Sequence, residues 1–599
     1  MVTNGTYNEQ VIFTSDHAGT NGAYNVMEGV DYPVIQSPDG NDCVQLNLSK
    51  NFEVKGFKLT GATTAQKCAI RLYTDYTGNT ENYTVDDCWI YGNTWGIKSQ
   101  AHSLQGCVIT NCAIFQNKGH GIYFMQNAQV PIINCAIVAN GIADDLDITT
   151  SGYYSISTAS TIEFRNCVVA GNGGYGIFEA SISHDVLMTN CLVYKNGSTD
   201  FYDFDTTNAI RGADGINALP DCSDNISEDP GYISMIDFDP TKVYEGSPLV
   251  THGIGVNGLT TYPRSDKTYY VATTGSDANT KEQAQNSGTP WQTIQHAADN
   301  MIAGDTVHVA AGTYGETVTI TNTGVEDYPV RFIGETGTIL DAGTYGFYIT
   351  NAVGVIIEGF QVASNTYGIA LAFSFGCQIN DCDIHHNSYG LYFFRNCGAN
   401  DIVRCDIHHN PTMNILALSG QVYDSCDLHD HSGSFATASL KLQYRRFEAR
   451  NCNIYNNNNY GAYHHQFAHG HYYNCNFYNN KVAVFLDYDN GTPTLWNCNI
   501  VSNGMGIWED ATAVDPGVYY CNFRDNGTNY YDWDTTSNYT DIADMEANVS
   551  PAYLTNNIGV DPKFVDAANG DFQIAEDSGC VDKGTATSPL ETDYFGNPR

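Results

Sequence analysis

Apolar and polar residues alternate in short runs along this chain, and the runs recur. In NCAIFQN (111–117), DCDIHHN (381–387), NCNIYNN (451–457) and NCNIVSN (497–503), Cys and the Ile two residues on fall on one face of a strand, while the residues between and after point the other way. A second short run follows, often led by Gly: GIYF (121–124), GIFE (176–179), GLYF (390–393), GAYH (461–464) and GIWE (506–509). The pattern predicts strands of a few residues joined by turns. Cys88, Cys112, Cys135, Cys167 and Cys191 are 24, 23, 32 and 24 residues apart. Cys382, Cys405, Cys426, Cys452, Cys475, Cys498 and Cys521 are 23, 21, 26, 23, 23 and 23 apart. A period near 23 with two or three strands per repeat predicts a solenoid.

Five residues after each of these twelve Cys comes Asn, with His431 the one exception. Asn there is expected to turn the chain in the left-handed backbone region and to hydrogen-bond its counterpart one turn on. Stacked Asn at a corner suits a right-handed parallel β-helix. The Cys column is then a small apolar residue stacked inside. Adjacent turns lie about 4.8 Å apart, so buried thiols and disulfides both stay open.

The chain also repeats at a larger scale. VTNGTYNEQVIF at the start matches VAAGTYGETVTI (309–320), FEVKGFKLTG (52–61) matches VIIEGFQVAS (355–364), and FYDFDTTN (201–208) matches YYDWDTTSN (530–538). The fold expected is all-β: two tandem solenoids with Cys and Asn ladders, over 1–260 and 268–599, joined by a linker at 261–267. A cap is expected at 268–315. No equivalent precedes the first GTY phrase, so a neighbouring copy or a longer tandem array is expected to cover that end.

Composition narrows the partners. The formal charge is −40, from 66 acidic residues against 26 Lys plus Arg. That argues against a nucleic-acid partner, which needs clustered cations. No apolar run reaches the roughly 20 residues of a membrane span. No paired CxxC, GxSxG, HExxH or P-loop pattern occurs.

Residues 268–320, TYYVATTGSDANT…GTPWQTIQHAADNMIAGDTVHVAAGTYGETVTI, resemble the amino-terminal cap of secreted right-handed parallel β-helix proteins, the pectate-lyase-like superfamily. Thr289 suits a helix cap, Pro290 its first position, and Gly304 the residue just past its end. Trp291, Ile294, Ala298 and Met301 form its apolar stripe. The resemblance implies an extracellular or cell-surface protein. It fixes no activity, because this fold hosts lyases, hydrolases, adhesins and fibres.

Four constellations are candidates for chemistry. Asp383, Asp406 and Asp427, with His385, His408 and His429, form two outward columns able to bind a metal or supply acid–base pairs. His386, His409 and Asp430 follow at the turn. The outward column Tyr392, Leu416, Lys441, Tyr463, Phe485 and Trp508 offers aromatic faces to sugars, with Arg445 and Arg446 nearby in sequence. Asp144, Asp145 and Asp147, with the duplicated Asp203/Asp205 and Asp532/Asp534 and with Asp277, are calcium candidates. His464, His465, His469 and His471 form a fourth group. By the resemblance, a calcium-dependent lyase would use Lys441 as base, with Asp427 and Asp430 as calcium ligands. N-x-S/T sequons begin at Asn4, Asn47, Asn82, Asn196, Asn225, Asn490, Asn526 and Asn538, the acceptor pattern for glycans in an exported protein.

Duplication and acidity favour a structural extracellular protein: a fibre, filament or surface-layer component, assembled head to tail and not an enzyme. The alternatives are a calcium-dependent polysaccharide lyase acting on uronic-acid polymers, and a glycan-binding adhesin or tailspike.

Overall fold

The computed structural model describes the chain apart from residues 20–22, 48–50, 74–81, 100–103, 126–127, 142–149, 157–159, 181–183, 198, 204–207, 234–237, 322–323, 326–327, 342, 395–396, 399, 419, 434–436, 444–446, 466–467, 488–492, 511–514, 550–552 and 586–599. It divides into two compact units, Met1–Pro263 and Arg264–Arg599. In each, successive strands pass to three different sheets, and each strand pairs in parallel with its counterpart one turn on. Asp383–His385, for example, pairs with Asp406–His408, which pairs with Asp427–His429. The three main sheets have eight, nine and seven strands in the first unit and twelve, ten and eleven in the second.

The alternation expected from sequence sets the core. Ile384, Ile407, Leu428, Ile454, Phe477 and Ile500, each two residues after a column Cys, stack in register and are fully buried. Each such side chain contributes about 1.5–3 kcal/mol of transfer free energy. All twelve column cysteines are buried free thiols. Their sulfurs lie against main-chain carbonyls, as Cys452 Sγ does against Arg450 O at 3.2 Å. Burial pushes the Cys405, Cys426 and Cys452 thiols well above their usual range, which leaves them chemically quiet.

The Asn five residues after each Cys builds a buried ladder. Asn387 Nδ2 donates to Asn410 Oδ1 and to Val362 O, and the Asn387 amide N–H donates to the same Oδ1. His431 takes the place of Asn with its Nδ1 against Asn410 O (2.9 Å) and its Nε2 against Thr437 Oγ1 (3.0 Å). One expectation is corrected. The left-handed residues are not these Asn but their neighbours, one residue before each Cys (Asn451, Asn474) and four after it (His386, His409, Asp430). The ladder Asn is occupied inside; the corner is turned beside it.

The cap helix also differs from the sequence reading. It spans Ile294–Asn300 with Thr293, not Thr289, as its N-cap. Glu316 accepts from the Ile294 and Gln295 amides, and Asp277 from Gln292 and Thr293, so Asp277 fixes the cap through backbone amides. Trp291 and Ile294 are fully buried beneath it.

In each unit a later segment lies over the outer face of the post-cysteine sheet. In the first, Tyr232, Phe238, Leu249 and Val256 pack on Phe115, Val138 and Leu192. In the second, Phe572 packs on Tyr455 and Tyr478, and Thr585 bonds Asn497.

Candidate functional site

The outer face of the Gly-led sheet carries the candidate site. In the second unit, register places Leu416, Lys441, Tyr463, Phe485, Trp508 and Tyr531 in one column. A parallel column, two residues further along each strand, runs His465, Asp487 and Asp510. The two columns meet at Asp487, whose Oδ2 accepts from the Tyr463 hydroxyl and faces His465 Nδ1 at 3.1 Å. Lys441 Nζ lies 4.5 Å from the Tyr463 ring centroid. Among the described residues it has no hydrogen-bond or ion-pair partner. Burial pushes its pKa below that of a solvated lysine, while the charge on Asp487 pulls the other way. Burial and the Asp487 bond push the Tyr463 phenol up, so it keeps its proton. Burial holds His465 below the usual histidine range despite Asp487.

The first unit repeats the column. Lys98, Tyr123, Tyr154, Phe178 and Tyr202 stand in register, and in both units the last Tyr sits on the strand that closes into an antiparallel hairpin. Lys98 Nζ lies 3.7 Å from the Trp95 ring centroid and likewise has no ion-pair partner among the described residues. Burial and the nearby Arg71 push its pKa down to about 8. Arg71 itself is held bidentate by Asp42. The positions of His465 and Asp487 are here Met125 and Ile156.

The family model for the right-handed β-helix region matches residues 42–225 and 311–539, more than half of the chain. The chain belongs to the right-handed β-helix family. No curated protein matches it in sequence. Solved structures of similar architecture include pectate lyase Pel9A (16% identity, 55% of this chain and 94% of that one, TM-score 0.42). Others are PL6 family alginate lyase AlyGC (10%, 86% and 94%, 0.41) and the periplasmic alginate epimerase AlgG (10%, 67% and 76%, 0.31). These are likenesses of fold.

Several sequence-based candidates fall elsewhere on this β-helix. Asp427 and Asp430 do not face Lys441: they belong to the post-cysteine sheet, where Asp427 accepts from Asn453 and Asp430 pairs with His429. Asp383 and Asp406 accept from His408 and His429 Nε2 (3.1 and 2.9 Å), and His385, His408 and His429 stack ring on ring. Among the described residues no three His, Cys, Asp or Glu side chains converge as metal ligands. Asp532 holds its own hairpin turn through Thr535, Asp203 is buried in its strand, and Asp534 lies in the turn. Asp144, Asp145, Asp147 and Asp205 lie outside the described residues, as do Arg445, Arg446 and Asn490.

The continuous sugar platform is also corrected. Tyr463 and Phe485 are buried at a tilt to one another in a cluster with Tyr460, on which Phe485 stacks, and Trp508 packs against it. Tyr392 is separated from them by Leu416 and packs on Tyr367 and Tyr389. His464 points inward, bonded to Tyr472, so the four nearby histidines do not gather. Among sequons, Asn196, Asn225 and Asn526 spend their amide hydrogens on buried carbonyls and ladder oxygens, which removes them as glycan acceptors in the folded chain. Asn4 and Asn538 are exposed; Asn47 and Asn82 are half-buried.

Asp487 and Lys98 were missed in sequence. Carrying the column register past Tyr463 and back into the first unit is the signal that finds them.

Proposed function

We propose that this β-helix protein is a carbohydrate-active enzyme that cleaves uronic-acid polymers by β-elimination, with Lys441 as the base. The observation that carries the reading is a half-buried ammonium that has no hydrogen-bond or ion-pair partner among the described residues. Burying such a group costs free energy. One turn earlier the same column holds Leu416, which fits without that cost. A rod whose function is its length gains nothing from Lys441; a base gains a depressed pKa.

In this reading neutral Lys441 takes the proton at C5, next to the uronate carboxyl. The C–H electrons form the C4–C5 double bond, the C4–O4 bond breaks, and the Lys441 ammonium returns the proton to O4. Tyr463, held by Asp487, fixes the floor on which Lys441 rests. The calcium that the resemblance implies does not fit here: Asp487 is engaged by Tyr463 and His465, and among the described residues no three possible ligands converge. No step is routed through it. A polymer substrate also suits an extracellular or cell-surface location.

The test is release of unsaturated oligouronides from alginate and polygalacturonate, followed by absorbance of the conjugated double bond. Product from the wild type and none from Lys441→Gln supports the reading. No product from either polymer with the wild type removes it.

A further inference from the structure

The post-cysteine sheet of the second unit has an uncovered stretch with its own chemistry. Consecutive residues of a strand normally face opposite ways. Here His386 and His409 take left-handed backbone (φ 54° and 51°), which swings each ring back beside the residue before it. His385 and His386 meet Nδ1 to Nδ1 at 2.7 Å, and His408 and His409 at 2.6 Å. Such a contact requires one proton shared between two nitrogens. His386 and His409 are exposed, and the covering segment reaches this sheet at Tyr455 and beyond.

We infer that His385/His386 and His408/His409 are two adjacent chelating sites for a divalent transition metal of the copper(II) or nickel(II) class. Metal–nitrogen bonds of about 2.0–2.1 Å place two cis nitrogens about 2.9 Å apart on a tetragonal ion and about 3.3 Å apart on a tetrahedral one. The observed pairs sit closest to the tetragonal value. All-nitrogen donors disfavour calcium. Of the remaining nitrogens, His408 Nε2 donates to Asp383 as an outer partner should, whereas the Gln361 amide nitrogen donates to His385 Nε2 (2.7 Å) and must turn over, presenting Oε1 to an Nε2–H, when Nδ1 takes the ion. Rings stack 5.1 and 5.3 Å apart between the two turns, too far for one ion to take all four nitrogens.

The third turn sets the count. His429 is clamped between Asp406 (2.9 Å) and Asp430 (2.8 Å), so both of its ring nitrogens already face carboxylates, and the corner residue beside it is Asp430 and not a second histidine. With no second imidazole on that turn, the column holds two ions and not three. Each ion displaces the Nδ1 proton of its pair, which moves to the unprotonated Nε2 of the same ring, so a neutral pair gives none up to solvent.

The experiment is titration of the full chain with copper(II) alone, read by electron paramagnetic resonance for nitrogen coupling and by calorimetry in two buffers for proton release. The variants are His386→Asn and His409→Asn, because Asn456 and Asn479 hold the same left-handed position on later turns. Two nitrogen-ligated ions are expected in the wild type, one in each variant and none in the double variant, with no net proton released from a neutral pair. Retention of both ions by the double variant, or oxygen-only coordination in the wild type, overturns the inference. The site is on a different sheet from Lys441, so neither result bears on product release.

Discussion

Both units place a lysine and four aromatics on consecutive turns of the same sheet, yet the two columns pack in opposite ways. In the first, Tyr123, Tyr154, Phe178 and Tyr202 stack with interplanar angles of 7°, 2° and 8°. In the second, Tyr463, Phe485, Trp508 and Tyr531 meet at 56°, 63° and 85°. Stacked rings hide their faces against one another and show only edges. Tilted rings leave their faces to the neighbouring column: Phe485 stacks on Tyr460 at 7°, and Tyr463 meets Tyr460 at 60°. Register decides where the lysine stands; the neighbouring column decides what it can do. Lys98 is caged by Trp95 beside a neutralised Arg71, whereas Lys441 stands beside Tyr463, His465 and Asp487.

The contrast is broken most forcefully by removing each lysine in turn. Lys441→Gln is expected to reduce product release about a thousandfold, the middle of the range for loss of a general base, and Lys98→Gln to leave it within about twofold. Equal losses would mean the neighbours do not matter. In the pH profile, activity should rise as Lys441 loses its proton, with a midpoint below that of a solvated lysine.

A second difference lies inside. His464 occupies an inward position that Phe124 fills in the first unit. Burial pushes its pKa down to about 4 from an ordinary 6.5, so the folded second unit holds it neutral. The unfolded chain binds a proton first. Stability is therefore lost as pH falls from 6.5 toward 4, by about 3 kcal/mol at the acid end. His464→Leu should flatten that loss in denaturant midpoints of the second unit, with no change in the first.

Much of this architecture was legible from twelve cysteines and their Asn partners, because a solenoid repeats its constraints every turn. The corner residues were not, because many residue types adopt the left-handed position here, including His386, Gln116 and Ser502. The cap helix was displaced because Asp277 and Glu316, distant in sequence, hold its first amides. The site was half legible: Lys441 stood out as a cation in an apolar column, but Asp487 reaches it only through strand register, two turns away. Asp427 came in as a partner for Lys441 through the resemblance alone, and the three-sheet coil sets it on a different sheet from Lys441.

The ladders offer a smaller test. Asn140→Leu interrupts the first unit's unbroken ladder, leaving the Asn117 amide without its acceptor and the Ile114 carbonyl without its donor. The expected cost is about 2 kcal/mol. His431→Asn, at the point where the second ladder already uses a different side chain, should change stability by less than about 1 kcal/mol. Smallest is Asp487→Asn. It removes the carboxylate charge beside Lys441 and should shift the rising limb of the pH profile to lower pH, since Asp487 now raises the Lys441 pKa.

The most direct test is competitive acetylation of the folded chain with trace acetic anhydride across pH, read peptide by peptide in a mass spectrometer. The account predicts that Lys441 becomes reactive at lower pH than free lysine side chains in an unstructured reference peptide. A Lys441 midpoint at or above theirs would contradict it.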